Sequence, residues 1–163
     1  IIVATSENGV IGRNGYIPWE KQISDISRFR SLTIGHPLVM GRKTYESLPF
    51  DLDNRHQIVM TKSSTIGRSR GFCGLNTYVS SSLEESLAIS SRFNKDVFVI
   101  GGSEIYNLFL TIADNIYRTV IHTRVEGDAF FYIPNKWNLI EENSYSSDNY
   151  NEYGYTYQLF RRI

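Results

Sequence analysis

Residues 97–106 read Val97-Phe98-Val99-Ile100-Gly101-Gly102-Ser103-Glu104-Ile105-Tyr106, and this stretch decides the fold class. An apolar run rich in β-branched side chains reads as a strand buried on both faces, because a half-exposed strand would alternate apolar with polar residues. The glycine pair ends the run, and Ser103 stands where its side chain can cap a following helix by accepting a backbone N–H. Ile105, Leu108, Phe109 and Ile112 then recur at helical spacing. Strand, glycine turn and helix form the repeating unit of a parallel α/β sheet.

The same signature recurs along the chain. Ile1-Ile2-Val3-Ala4, Leu38-Val39-Met40 and Gln57-Ile58-Val59-Met60 are further short apolar runs, and helical spacings lie between them at Ile26 and Phe29 and at Leu83 and Leu87. Ser82 followed by Glu85 is a capping-box pattern. From Ile116 the signals change to strand and turn: Ile116 to His122, Leu139 to Tyr145, a polar stretch from Asp148 to Glu152, and Tyr153 to Phe160. The two runs flanking the polar stretch read as an antiparallel hairpin. The predicted architecture is α/β in three layers: a central, mostly parallel twisted sheet, helices on both faces, and an antiparallel hairpin at the C-terminal edge. With 163 residues, no internal repeat and no low-complexity tract, residues 1–163 read as a single domain.

Composition narrows the function classes. Lysine plus arginine number 17 and aspartate plus glutamate 17, so overall charge gives no attraction to nucleic acid or an anionic membrane. No apolar run approaches the roughly 20 residues of a spanning helix, and the N-terminus lacks the layout of a signal peptide. Cys73 is the only cysteine, which suits a reducing compartment and points to the cytoplasm. His36, His56 and His122 are scattered without metal-ligand spacing, so no metal is expected.

Open α/β sheets bind ligands beyond the carboxyl ends of their strands, which directs attention to the segments after Ala4, Met40, Met60 and Ile100. Gly41-Arg42-Lys43-Thr44 follows a strand and opens a helix, a setting that favours an anion. The P-loop pattern does not fit, because Gly35 to Gly41 is one residue too long and a strand fills the gap. Thr61-Lys62-Ser63-Ser64 supplies a second group of phosphate donors, and two such groups side by side suit a 2′-phosphate and so NADPH over NADH. Gly101-Gly102 lets backbone approach a ligand closely, although the G-x-G-x-x-G fingerprint is absent. Glu7 to Gln22, with Gly9, Gly12, Gly15 and Pro18, is a long connection of the kind that forms lids. Asp25 falls on the helix face of Phe29 and Leu32, where desolvation would raise its pKa into a range useful for proton transfer. With no second carboxylate paired to it, chemistry of the glycosidase type is disfavoured. Arg55, just before a strand, could grip a carboxylate bidentately.

Taken jointly, Ala4, Gly9-Val10-Ile11-Gly12, Ile17-Pro18-Trp19, Asp25 with Phe29 and Thr33, Met40-Gly41-Arg42-Lys43-Thr44, Leu52 with Arg55, Val99-Ile100-Gly101-Gly102 with Ile105-Tyr106, and Glu126-Gly127-Asp128 follow the order and spacing of one family. The chain resembles the dihydrofolate reductases along nearly its whole length. The resemblance implies an NADPH-dependent oxidoreductase of one-carbon metabolism, an antifolate target that reduces 7,8-dihydrofolate to 5,6,7,8-tetrahydrofolate by hydride transfer to C6 and protonation at N5. It implies a cytoplasmic monomer that binds neither nucleic acid nor membrane.

The resemblance also implies roles. Asp25 would be the site's carboxylate and promote protonation at N5, with Thr119 bonding it and Trp19 holding an ordered water. Ile2, Ala4, Ile26, Phe29, Leu48, Leu52 and Ile100 would wall the substrate, and Arg55 would bind its glutamate tail. Ala4, Ile11, Gly41, Arg42, Lys43, Thr44, Thr61, Lys62, Ser63, Gly101, Gly102 and Tyr106 would surround the cofactor, with a cis peptide joining the glycine pair. The chain departs from the family pattern by one extra residue between Trp19 and Asp25, by Asp53-Asn54 in place of Pro-Gly before Arg55, and by Glu104 where some relatives carry a basic residue. Two rival readings are the pyrimidine reductase of riboflavin synthesis, which lacks the combination of Trp19, Asp25 and Arg55, and a non-catalytic binding or structural protein that retains the fold.

Overall fold

The computed structural model describes residues 1–48, 52–63 and 76–163, so Ser64 and Cys73 lie outside the described residues. In chain order the elements are β1 (Ile2–Ser6), β2 (Val10–Gly12), α1 (Ile23–Thr33), β3 (Pro37–Gly41), α2 (Arg42–Ser47), β4 (His56–Met60), β5 (Thr77–Ser80), α3 (Leu83–Ser91), β6 (Phe98–Gly101), α4 (Ser103–Phe109), β7 (Asn115–Ile121), β8 (Ala129–Phe130), β9 (Trp137–Tyr145) and β10 (Tyr155–Arg162). Each apolar run of the sequence becomes a strand. β3 pairs in parallel with β4 and β6, and β4 with β5, in the order β5-β4-β3-β6. β1 pairs in parallel with β7, while β10 enters antiparallel between β7 and β9, in the order β1-β7-β10-β9. β1 also lies against β6, which brings the two ladders edge to edge.

Alternation along the strands sorts side chains into two apolar layers. Leu38 and Met40 of β3, Val59 of β4 and Ile2 of β1 meet Phe29 and Leu32 of α1 and Tyr45 of α2. Val39, Ile58, Val99 and Val3 point the other way and meet Leu83 and Ile89 of α3 and Ile105 and Phe109 of α4. Helices therefore cover both faces of a mostly parallel sheet, with the hairpin β9–β10 at its end, as the sequence predicts.

Four local expectations are corrected. Ser103 does not cap α4: Gly102 holds the cap position without a side-chain bond, and the Ser103 hydroxyl donates to the Phe130 carbonyl at 2.9 Å and accepts from the Phe130 N–H at 3.2 Å. The serine staples α4 to β8. α4 stops at Phe109, and Leu108 and Ile112 are exposed, as is Leu87 of α3, whose buried apolar position is Ile89. Ser82 does accept the Glu85 N–H, at 3.1 Å, but Glu85 reaches Ser81 rather than returning to Ser82, so the capping box is half formed. Finally, the long connection after β1 contains strand β2, paired antiparallel with β8.

The Glu126-Gly127-Asp128 motif explains how β2 docks. The Asp128 N–H donates to the Gly12 carbonyl at 3.1 Å, and the Phe131 N–H to the Gly9 carbonyl at 2.9 Å. A Cβ at Gly127 would collide with the Val10 side chain, which is fully buried, and with the Gly12 carbonyl. Gly127→Ala is therefore expected to destabilise the fold by about 2 kcal/mol, measured as a thermal midpoint several degrees lower. An unchanged midpoint would show that β2 can move aside without loss.

Candidate active site

Asp25 is the third residue of α1, half-buried, on a helix whose start is built from far away in the chain. Gln22 makes no side-chain bond to the helix; its amide instead bridges to Tyr153, accepting from the N–H at 2.9 Å and donating to the carbonyl at 3.3 Å. The open N–H groups of the first turn are taken by the β9–β10 connection: Ile23 donates to the Tyr150 carbonyl at 3.2 Å and Ser24 to Asn151 Oδ1 at 3.0 Å. Asn151, fully buried, is held by Asp148 Oδ1 and by the Ser24 hydroxyl, each at 2.9 Å from its Nδ2. The polar Asp148 to Glu152 stretch is thus the cap of α1, supplied from the far end of the chain. Just ahead of the helix, Lys21 takes a left-handed backbone with φ 41°.

Around the carboxyl group, burial dominates and pushes its pKa above the ordinary aspartate range, while a hydrogen bond from Thr119 and the charge of Arg28 pull it back. Thr119 sits on β7 opposite Ala4 of β1. Trp19 is buried with Ile121 and Tyr155, and Ala4 packs on the same cluster. Below the site, the Tyr106 hydroxyl donates to the Ile2 carbonyl at 2.8 Å; burial, reinforced by the Asp25 charge, raises its pKa so that it stays protonated.

Most of the residues expected as apolar walls pack together. Ile2, Phe29, Leu48, Leu52 and Ile100 all belong to one cluster with Leu38 and Met40. Ile26 does not join it; half of its surface is exposed, one residue beyond Asp25. Arg55 is buried at the cluster's rim, its Nε donating to Thr33 Oγ1 at 2.9 Å and its Nη1 to the Asp53 carbonyl at 2.8 Å, with the guanidinium 5.8 Å from the Phe29 ring centre. Thr33 in turn donates to the Phe29 carbonyl at 2.7 Å. Asn54, at φ 56°, turns the chain just before Arg55. The arginine is thereby fixed as a preformed fork.

The other side of the site is bare backbone. Met40 of β3 pairs with Gly101 of β6, so Gly41 and the glycine pair lie side by side at the strand ends. The Gly101–Gly102 peptide is cis. A Cβ on Gly101, at φ +110°, would strike the Tyr106 ring at 2.9 Å, and one on Gly41 would stand 3.1 Å from Ile105. Thr44 lies beside Gly102, its hydroxyl 3.6 Å from where a Cβ there would be. Because Gly41 pairs with Met60, the Thr61-Lys62-Ser63 segment begins next to Gly41-Arg42-Lys43. Lys43, Lys62 and Ser63 are exposed, and Arg42 reaches both oxygens of Glu46 through Nη1 at 3.0 Å. Ile11 packs against the opposite apolar layer. Hydroxyls, cations and unobstructed backbone in one place form a donor set that fits a phosphorylated dinucleotide.

Sequence reading missed Asn151 and Gln22, because the contacts by which they join α1 to the β9–β10 connection, Asn151 with Ser24 and Gln22 with Tyr153, span more than a hundred positions. It also missed Arg28, although its spacing of three from Asp25 places both on one helix face.

Comparison with known proteins agrees with this geometry. The dihydrofolate reductase family model matches residues 1–162. The dihydrofolate reductase of Bacillus subtilis (strain 168) is 34% identical over 99% of this chain and 92% of its own length, and dihydrofolate reductase type 6 of Proteus mirabilis is 35% identical over 99% and 97%. A solved dihydrofolate reductase from Enterococcus faecalis, complexed with NADP(H) and RAB-propyl, superposes with a TM-score of 0.84 at 33% identity, covering 99% of this chain and 94% of that one. With a carboxyl group at the start of α1, a glycine pair at the end of β6 and relatives matched along nearly its whole length, the chain belongs to the dihydrofolate reductase family.

Proposed function

We propose that Asp25 manages the proton in the family's reaction, the NADPH-dependent reduction of 7,8-dihydrofolate to 5,6,7,8-tetrahydrofolate. The observation that carries this reading is a carboxyl group half-buried beside the apolar cluster of Ile2, Phe29, Leu48, Leu52 and Ile100, with a hydroxyl partner in Thr119. The cluster takes the flat pterin and benzoyl rings and excludes water, which strengthens every polar contact inside it. Arg55 receives the carboxylate of the glutamate tail, and Asp25 hydrogen-bonds the pterin and favours a proton at N5. Trp19 closes the side of the pocket next to Ala4 and orders a water there.

Bound NADPH supplies the hydride that adds to C6. Gly41, Arg42, Lys43 and Thr44, with Thr61, Lys62 and Ser63, would hold its adenosine and phosphates; Gly101, Gly102 and Tyr106 would lie near the pyrophosphate and nicotinamide ribose; Ala4 and Ile11 would complete the cofactor-binding set. Residues 1–163 act as one domain. We place the protein in the cytoplasm as a monomer, and a single cysteine supports the cytoplasmic setting. Among the described residues no helix is long and apolar enough to cross a membrane. Antifolates compete for the pocket next to Asp25.

Asp25→Asn is expected to lower turnover near neutral pH by at least about 100-fold, followed as antifolate-sensitive NADPH oxidation with dihydrofolate, with partial recovery in acid, where substrate is already protonated. Unchanged turnover would sink the assignment. The raised pKa fixes a second sign: the folded state binds this proton more tightly than the unfolded chain, so stability falls as pH rises from the unfolded pKa through the raised folded one. Above that window Asp25→Asn removes a costly buried charge and should melt no lower than the parent; a clearly lower midpoint would mean that the carboxylate is stabilising. For the cofactor, kcat/KM should favour NADPH over NADH by about tenfold or more, since each charged phosphate contact contributes roughly 1.5–3 kcal/mol. Removing both Lys43 and Lys62 should narrow that ratio, and equal values in the parent would refute the assignment.

A further inference from the structure

Arg28 follows Asp25 by three residues and leaves the same face of α1. Its Nη1 donates to the Arg118 carbonyl at 3.0 Å and to Thr119 Oγ1 at 3.2 Å. Its guanidinium carbon stands 4.2 Å from the centre of the Tyr157 ring, and the Tyr157 hydroxyl donates back to the Ser24 carbonyl at 2.9 Å, one residue before Asp25. Among the described residues no carboxylate lies within ion-pair distance of Arg28; Thr119 stands between it and Asp25. We propose that Arg28 is a positioning residue for the reaction: it ties the helix that carries Asp25 to the strand that carries Thr119, and sets a fixed positive charge behind the carboxyl group.

Two effects follow, and both rest on Asp25 as the proton-managing group. A hydroxyl rotates freely until its oxygen accepts a bond, and Thr119 Oγ1 accepts from the guanidinium, which leaves its own hydrogen to turn toward Asp25, whose pKa the hydroxyl lowers. The hydroxyl then acts as a fixed donor that favours the carboxylate form. The guanidinium adds a Coulomb attraction of the same sign, strengthened because both groups are partly buried. The remaining groups facing the site do not supply that charge. Tyr106 of α4 and Tyr157 of β10 both stay protonated, their pKa values raised chiefly by burial. On β9, Glu141 acts on Arg28, as do Tyr117 and Tyr157, and these favour its cationic form against desolvation. β1 contributes only Ile2 and Ala4. Arg28 thereby sets how far burial is allowed to raise the Asp25 pKa.

The test is the pH profile of single-turnover hydride transfer with saturating NADPH and dihydrofolate. In Arg28→Met the falling limb should move to higher pH by about one unit, the scale of an opposite charge a few ångströms away. Arg28→Gln keeps a donor for Thr119, so it provides a folded comparison if the methionine disturbs packing, and it should move the limb in the same direction. Arg28→Lys keeps the charge and should restore the parent profile in large part. A rate lowered equally at every pH, with the limb unmoved in both Arg28→Met and Arg28→Gln, would reduce Arg28 to a packing role and overturn the proposal. Asp25→Asn in the parent separates the two readings: loss of the limb leaves the Asp25 assignment intact whatever Arg28 does, and persistence of the limb removes both.

Discussion

A carboxyl group kept half out of water at the start of a helix is the constraint around which this chain is arranged. Burial raises the Asp25 pKa above its ordinary value and makes its ionised form costly to the fold. The structure tolerates it because three distant segments meet there. The β9–β10 connection caps α1 through Asn151 and Tyr150, β7 supplies Thr119, and β10 supplies the Tyr157 ring that backs Arg28. Each partner is a polar or aromatic group held by further bonds of its own, so the carboxyl group meets a rigid surrounding rather than mobile side chains.

That arrangement clarifies the antiparallel half of the molecule. A doubly wound sheet would normally end in exposed edge strands, and β9 is largely exposed. Yet β10, inserted between β7 and β9, delivers Tyr155 to the Trp19 cluster and Tyr157 to Arg28, on the active-site side of the sheet. The hairpin is therefore part of the wall of the site. The parallel half does a different task. It ends β3 and β6 in glycines lying next to each other, where a side chain would strike Ile105 or Tyr106, and leaves open the backbone that a dinucleotide needs.

Much of this was legible because it depends on short-range pattern. Continuous apolar runs fixed the parallel strands, since both faces of β3 and β4 are covered. The helical position of Asp25 beside Phe29 signalled an unusual carboxylate, and the walls Ile2, Phe29, Leu48, Leu52 and Ile100 did converge. What could not be read is long-range. Ser103 has the residue type and position of a cap, but a tertiary bond to Phe130 competes successfully for its hydroxyl. The Glu7 to Gln22 segment is rich in glycine, yet Val10 finds a buried place under Gly127, which turns part of the presumed lid into a strand. The Asp148 to Glu152 stretch looked like an ordinary polar turn because its partners, Gln22, Ile23 and Ser24, lie at the far end of the chain.

The two halves meet at β1, between β7 and β6. The ladder is not continuous there: β1 pairs with β7 on one side and only rests against β6 on the other. At that seam the Ile2 carbonyl accepts from the buried Tyr106 hydroxyl instead of from a neighbouring strand. Tyr106 also packs against Gly101, so one side chain joins the dinucleotide side of the site to the strand that carries Ala4 opposite Thr119. On the proposed reading, a hydride donor held at the glycines and Asp25 on α1 would reach one ring from the two parts that meet at this seam. Residue 4 lies on the strand between them, opposite Thr119, and its methyl group packs against the cluster of Trp19, Ile121 and Tyr155.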